Sequence, residues 1–274
     1  MDLPGGIDLS GRVAVVTGAG SPDGIGFAAA RQLGELGASV ALAATTARAE
    51  ERAAELSARG ISALAVVGDL TVQGSAQALV DAAIGRWGRL DIVVNNAGMI
   101  SVSDPNFESG AIDTMSYDTW RASLTRNLDT AFLVSSAALP AMREQRWGRV
   151  VMVSSVTGPV MATRDDVGYA ASKAGMVGLC RAMAMDGAAF GITVNAVAPG
   201  WIATASQTDS ERREGVATPV GRSGTADEVA SAITWLCTPG ASYVTGQNLV
   251  VDGGNSVSEA RAWPNGTGGG DDPH

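Results

Sequence analysis

The chain has 274 residues, 46% of them hydrophobic, and a formal charge of −9 from 19 basic and 28 acidic side chains. That is enough apolar material for one large core, and there is no basic face for a phosphate backbone, so no nucleic-acid partner is expected. The only histidine is His274, the last residue, which removes His-based triads, His general bases and His-ligated metals unless the chain end folds back.

Cys180 and Cys237 stand 57 positions apart, with no CxxC pair and no disulfide framework, which reads as a reducing, cytoplasmic setting. No apolar run approaches the roughly 18–20 residues of a membrane span. The stretch from Met1 to Gly6 has neither the basic nor the apolar part of a secretory signal. No membrane association is expected.

In chain order, β-branched runs alternate with Ala/Leu-rich stretches at helical spacing. A strand at Arg12–Thr17 leads through glycines to a helix at Ile25–Leu36. Strand Ser39–Ala43 precedes helix Arg48–Arg59, and strand Ala63–Val67 precedes helix Ser75–Trp87. Strand Ile92–Asn95 is followed by a long helix at Trp120–Arg143, then strand Val150–Ser154 and helix Gly168–Phe190. Strand Thr193–Ala198, a polar aperiodic loop at Trp201–Gly224, helix Ala226–Leu236 and strand Asn248–Val251 complete the series. Near-continuous apolar strands alternating with helices predict an α/β fold: one doubly wound parallel sheet with helices on both faces. It would form a single domain over residues 1–254, with 255–274, rich in Gly, Pro, Asn and Asp, as a flexible tail. Ligands of such sheets bind beyond the carboxyl ends of the strands.

The first strand runs directly into Thr17-Gly-Ala-Gly-Ser-Pro-Asp-Gly-Ile-Gly26. Glycines there permit a tight turn and let a pyrophosphate reach backbone N–H groups at a helix N-terminus. They serve equally to turn a strand into a helix.

The chain resembles the short-chain dehydrogenase/reductases, in particular their 3-oxoacyl-reductase-like members, over nearly all of residues 8–254. The resemblance rests on the glycine loop, Asp69, Asn95-Asn-Ala-Gly98, Asn127, Ser154-Ser155, Tyr169-Ala-Ala-Ser-Lys173, Pro199-Gly200 with Thr204, and Asp252-Gly-Gly254. It implies a Rossmann-type fold, a nicotinamide cofactor, and hydride transfer to or from a carbonyl or alcohol carbon of a small molecule. Two departures stand out: the glycine loop is two residues longer than TGxxxGxG, and the stretch from Gly98 to Trp120 is several residues longer than in compact members.

Chemistry points independently to Tyr169 and Lys173. A carbonyl receiving hydride needs a proton on its oxygen, and without histidine another side chain must donate it. Four residues apart on a helix, the two share one face. An ammonium and a positive nicotinamide ring would stabilise phenolate and lower its pKa. Of 19 basic residues, 18 are Arg and only Lys173 is Lys, so a compact ammonium is retained at this one place. Ser155 ends a strand and can orient the substrate oxygen toward Tyr169, while Ser154 better suits capping the turn. Asn127 interrupts an amphipathic helix, and the resemblance assigns it a water in a proton relay through Lys173. The catalytic set is therefore expected to be Asn127, Ser155, Tyr169 and Lys173.

For the cofactor, the resemblance implies contacts from Gly18, Ser21, Asp23, Gly24, Ile25 and Gly26 in the glycine loop. Asp69 with Leu70 would meet the adenine, unless Asp69 instead caps a helix at Val72. Asn96, Ala97 and Gly98 would pass over the ribose. Pro199, Gly200, Ile202 and Thr204 would cover the nicotinamide beside Tyr169 and Lys173. No acid lies between Glu35 and Glu50 to accept from a ribose 2′-OH, whereas Thr45, Thr46 and Arg48 can donate to a 2′-phosphate. NADP(H) is expected over NAD(H), with Asp23 weighing the other way and Arg48 able simply to start a helix facing water.

Met99, Val156, Met161, Trp201 and residues 101–117 are candidates for an apolar substrate pocket or for ordinary packing, and 201–224 resembles a mobile lid. Besides a ketoreductase or alcohol dehydrogenase, the pattern admits an epimerase or dehydratase that recycles its cofactor, or a nicotinamide-binding regulator. The intact acid–base set speaks against the regulator. A homotetramer is expected because the two long helices carry apolar residues on more than one face, among them Met176, Leu179, Met183 and Phe190.

Overall fold

Seven of the apolar runs hydrogen-bond side by side into one parallel sheet, which needs helices on both faces to cover it. The computed structural model describes residues 6–98 and 109–259; Met99, residues 101–108 of the 101–117 loop and tail residues 260–274 lie outside them. Strand β1 (Val13–Thr17), helix α1 (Ile25–Glu35), β2 (Ser39–Ala44), α2 (Arg48–Ala58), β3 (Ala63–Val67), α3 (Ser75–Trp87) and β4 (Ile92–Asn95) form the first half. The second half holds α4 (Tyr117–Leu124), α5 (Thr130–Gln145), β5 (Gly148–Val153), α6 (Val167–Gly187) and β6 (Ile192–Pro199), then β7 (Ile202–Ala203), α7 (Asp209–Val216), β8 (Gly224–Thr225), α8 (Ala226–Cys237) and β9 (Asn248–Val251). The sheet order β3-β2-β1-β4-β5-β6-β9 reverses direction between β1 and β4, the switch point where open α/β sheets bind ligands.

The sheet divides two apolar cores. On one side Phe27, Leu33, Leu56 and Ile233 pack over Val16, Leu42 and Val94. On the other, Leu79, Val134, Met142 and Met176 pack over Val15, Val93 and Met152.

The sequence-derived boundaries shift where a side chain finds an unforeseen partner. Strand β5 begins at Gly148 rather than Val150, because Arg149 is buried inside the strand with its guanidinium on the carbonyls of Gly148 and Gly191 at 2.8 and 3.2 Å and stacked on Trp147. The expected long helix Trp120–Arg143 starts earlier, where Ser116 Oγ accepts from Thr119 N at 3.0 Å, and is broken by a π turn at Thr125–Asp129. The expected loop 201–224 contains regular elements: Thr208 and Glu211 form a reciprocal capping box that starts α7, and β7 pairs with β8. The Thr-x-x-Glu signal for that helix was present in the sequence.

Met176 and Met183, invoked for subunit contacts, are buried in this chain's own core, and Leu179 and Phe190 pack against it. The large apolar side chains left exposed include Phe132 on α5, Met185 on α6 and Trp235 on α8. The tail's first residues make a 3-10 turn, Asn255–Val257, with Asn255 buried. No helix among the described residues is long and apolar enough to cross a membrane.

Candidate active site

The carboxyl ends of β1, β4, β5 and β6 converge with the start of α6. Thr17, the last residue of β1, ties two of these ends together: its Oγ1 accepts from the N–H groups of Asn96 and Ala97 at 3.0 and 2.9 Å. Asn96 returns the contact, its Nδ2 donating to the carbonyls of Thr17 and Gly18 at 3.1 Å each. Sequence reasoning passed over Thr17, although its place before the glycine loop was the available signal.

Two glycines of the loop are required by close approach within the chain. Gly18 has φ +65°, and a Cβ there would lie 2.9 Å from Ala97 Cα; one on Gly26 would lie 2.5 Å from Asn96 Nδ2 and 2.7 Å from the Gly18 carbonyl oxygen. The strand-to-helix reading of this loop is thus physically sufficient for Gly18 and Gly26. The loop also leaves the α1 N-terminus, behind Ser21, Asp23, Gly24 and Ile25, without any side-chain cap. Uncapped N–H groups at the dipole's positive end are a ready anion site.

At the end of β2, Gly20 packs against Ala44, and a Cβ on it would stand 3.5 Å from Arg48 Cβ. The exposed Arg48 opens α2 and donates from Nε to Thr46 Oγ1 at 3.2 Å, beside Thr45. Asp69 does not cap a helix at Val72: α3 starts at Ser75 behind Gly74. Its Oδ1 instead accepts from Thr71 N and Oγ1 at 2.9 and 2.7 Å, bonds that hold the carboxyl below its ordinary pKa. Leu70 beside it is buried.

Gly98 (φ +148°) leads from the β4 loop to Asn127, whose Oδ1 would be 2.6 Å from a Cβ there. Asn127 sits in the π turn, buried, with Nδ2 donating to Ser123 O at 3.0 Å. A π turn displaces one carbonyl from the helical ladder, and this amide takes that role. Asn127 Oδ1 is left buried without a partner among the described residues, an orphan of the kind that marks a bound water or a functional contact.

On α6, Lys173 is 4% exposed. Its Nζ donates to Val153 O at 3.0 Å and lies 5.4 Å from the centre of the Tyr169 ring. The turn contact expected of Ser154 is made by Ser155. Ser154 Oγ donates to Lys173 O at 2.9 Å, tying β5 to α6, while Ser155 Oγ accepts from Thr157 N at 3.1 Å and makes the turn. Ser155 still acts on the Tyr169 phenol, pulling its pKa down.

Burial pushes the Tyr169 phenol up to about 12; Ser155 pulls against this, and the charges of Asp166 and Glu211 add to it. Burial also lowers Lys173 to about 8. In the chain alone desolvation is the dominant influence on the phenol. Asp166, unforeseen from the sequence, precedes Tyr169 by three residues and is itself raised to about 6 by burial.

Pro199 ends β6, Gly200 N donates to Val251 O at 3.0 Å, Ile202 lies in β7, and Thr204 Oγ1 pairs with Ser206 Oγ at 3.0 Å. Of the substrate candidates, Val156 is buried, and Met161 and Trp201 are half-buried. Trp201 Nε1 has no partner.

The sequence pattern of the family described as enoyl-(acyl carrier protein) reductase matches residues 18–256. The 3-oxoacyl-[acyl-carrier-protein] reductase FabG of Pseudomonas aeruginosa is 38% identical, covering 92% of this chain and 100% of its own length. Oxidoreductase UcpA of Escherichia coli is 35% identical, covering 92% and 97%. Among solved structures, a 7α-hydroxysteroid dehydrogenase complexed with NADH and 7-oxo glycochenodeoxycholic acid superposes with TM-score 0.84 at 32% identity, covering 93% of this chain and 98% of that one. A putative NAD(P)-dependent gluconate 5-dehydrogenase from Beutenbergia cavernae with bound NADP at low occupancy gives 0.84 at 38%, covering 93% and 100%. The chain belongs to the short-chain dehydrogenase/reductase family. Within that family of oxidoreductases it is similar to the 3-oxoacyl reductases.

Proposed function

We propose that the chain reduces a small carbonyl compound to a secondary alcohol with a nicotinamide cofactor, NADPH in preference to NADH, and that Tyr169 is the proton donor. As a short-chain dehydrogenase/reductase it is a nicotinamide-dependent oxidoreductase, and the relatives with solved structures carry NADH or NADP. The observation that carries the reading is the Ser155–Tyr169–Lys173 group, with a buried ammonium 5.4 Å from the centre of the phenol ring.

The residues present fit the cofactor. The uncapped α1 N-terminus suits its pyrophosphate, the Asn96–Gly98 pass suits a ribose, and Thr46 with Arg48 suits a 2′-phosphate. When bound, the nicotinamide supplies the hydride. Ser155 orients the substrate oxygen, and Tyr169, kept protonated by burial, donates its proton to that oxygen as negative charge develops there. Lys173 stands ready to stabilise the phenolate left behind. The orphaned Asn127 Oδ1 holds a water that returns a proton from solvent through Lys173. Reduction needs the protonated phenol, and a phenol at about 12 is in that form at neutral pH.

We further assign a homotetramer, supported by exposed Phe132, Met185 and Trp235 on long helices, and a cytoplasmic setting, supported by two free, buried cysteines. The test is loss of reduced-nicotinamide absorbance against a ketone panel. Tyr169→Phe is expected to lower turnover at least ~100-fold while leaving cofactor affinity near wild type. A variant that keeps a tenth of the wild-type rate refutes the assignment.

A further inference from the structure

The groups whose charges reach the Tyr169 phenol are Asp166 and Glu211, both acids. Glu211 is engaged, with Oε2 accepting from Thr208 N and Oγ1 in the capping box of α7. Asp166 is not engaged by any described side chain. It occupies the N-cap of α6, where an aspartate ordinarily accepts a hydrogen bond from the first turn, yet its side chain makes no such bond. Its φ and ψ of −137° and 34° depart from the extended conformation that capping uses. That backbone is held from outside the helix: Asp165 adopts φ +57°, Gly110 N donates to Asp165 O at 2.8 Å, and Gly110 bridges to Asp166. The result is a half-buried carboxylate with no hydrogen-bond or ion-pair partner among the described residues, three residues before Tyr169.

A desolvated carboxylate without a donor is a costly arrangement, and a substrate donor would relieve it. We propose that Asp166 is a substrate-specificity residue, accepting a hydrogen bond from a hydroxyl or ammonium group placed near the reacting carbon, so that the preferred substrate is a hydroxy- or amino-ketone. The same acidic surroundings disfavour a carboxylate or phosphate at that position. This rests on the proposed function, since it concerns the substrate of the same site.

The test compares four ketones on one carbon skeleton, bearing hydroxyl, ammonium, methyl or carboxylate at the same position. Each is measured for kcat/KM with wild type, Asp166→Asn and Asp166→Ala. A hydrogen bond to an ionised carboxylate discriminates roughly 10–100-fold, so wild type should prefer the hydroxyl or ammonium ketone over the methyl ketone by at least about tenfold and accept the carboxylate least. In Asp166→Ala that ratio falls to about one. Asp166→Asn, which keeps an acceptor but no charge, retains part of the preference for hydroxyl and loses that for ammonium, separating the two donors. A wild-type ratio near one, a preference for methyl or carboxylate, or an unchanged ratio in Asp166→Ala overturns the inference. Turnover of none of the four by wild type with either nicotinamide counts against the proposed function instead. In that event the same ratios, read as dissociation constants by calorimetry, decide the role of Asp166.

Discussion

Gly26→Ala tests whether the last glycine of the loop is there for packing. The added methyl would sit 2.5 Å from Asn96 Nδ2 and 2.7 Å from the Gly18 carbonyl oxygen, well inside contact distance, and the second neighbour is backbone. Forcing α1 away from β1 costs about 1–3 kcal/mol as overpacking. Displacing Asn96 also puts its two bonds to Thr17 O and Gly18 O at risk, each worth about 1 kcal/mol. Against this, alanine gains about 1 kcal/mol over glycine in a helix. A net loss of about 2–3 kcal/mol lowers the Tm of a domain this size by about 4–12 °C. Gly85→Ala on α3, where an added Cβ meets nothing within 4 Å, is the control and should be neutral or slightly stabilising. Thermal melts by circular dichroism at one protein concentration make the comparison. A Gly26→Ala protein melting with the Gly85→Ala control would show that the close approach does not limit stability.

Lys173→Arg should lose activity at least ~100-fold despite keeping its charge, because a planar guanidinium does not fit the buried site that places Nζ on Val153 O; near-wild-type turnover contradicts this. Arg48→Ala should raise KM for NADPH about tenfold with little change for NADH, and an equal effect on both would remove Arg48 from the 2′-phosphate contact. For Asp166, a carboxyl raised from 3.8 to about 6 on folding stabilises the fold only while protonated, so this contribution fades as pH rises from about 4 to about 6. The full shift corresponds to roughly 3 kcal/mol, of which solvent screening of a partly exposed group leaves on the order of 1 kcal/mol. Asp166→Asn should therefore raise Tm near pH 7 and leave it unchanged near pH 4, and equal gains at both pH values would refute the assignment. Light scattering should give the mass of four chains, and a monomer mass would refute the tetramer.

Much of this protein was legible in its sequence because the signals are local. An apolar run of four to six residues between helical stretches has few ways to bury itself, so the parallel sheet and its two helical layers followed from alternation alone. Tyr169 and Lys173 were picked out by the family resemblance, with their spacing and the single lysine of the chain as independent support. The Thr-x-x-Glu box of α7 was equally local and was passed over.

What the sequence could not carry depends on groups far apart in the chain. Arg149 belongs inside β5 only because carbonyls from Gly191 and Thr238 meet it there. Gly26 needs to be glycine because Asn96, 70 residues later, occupies the space of its missing side chain. The surroundings of Lys173 are of the same kind: its adjacency to Tyr169 is readable from numbering, but the turn of its ammonium toward Val153 and its burial are not. Asp166 stands in plain sight three residues before Tyr169. Only the tertiary structure shows it denied its own helix cap, because Gly110 holds the preceding backbone in a conformation that no local propensity would choose.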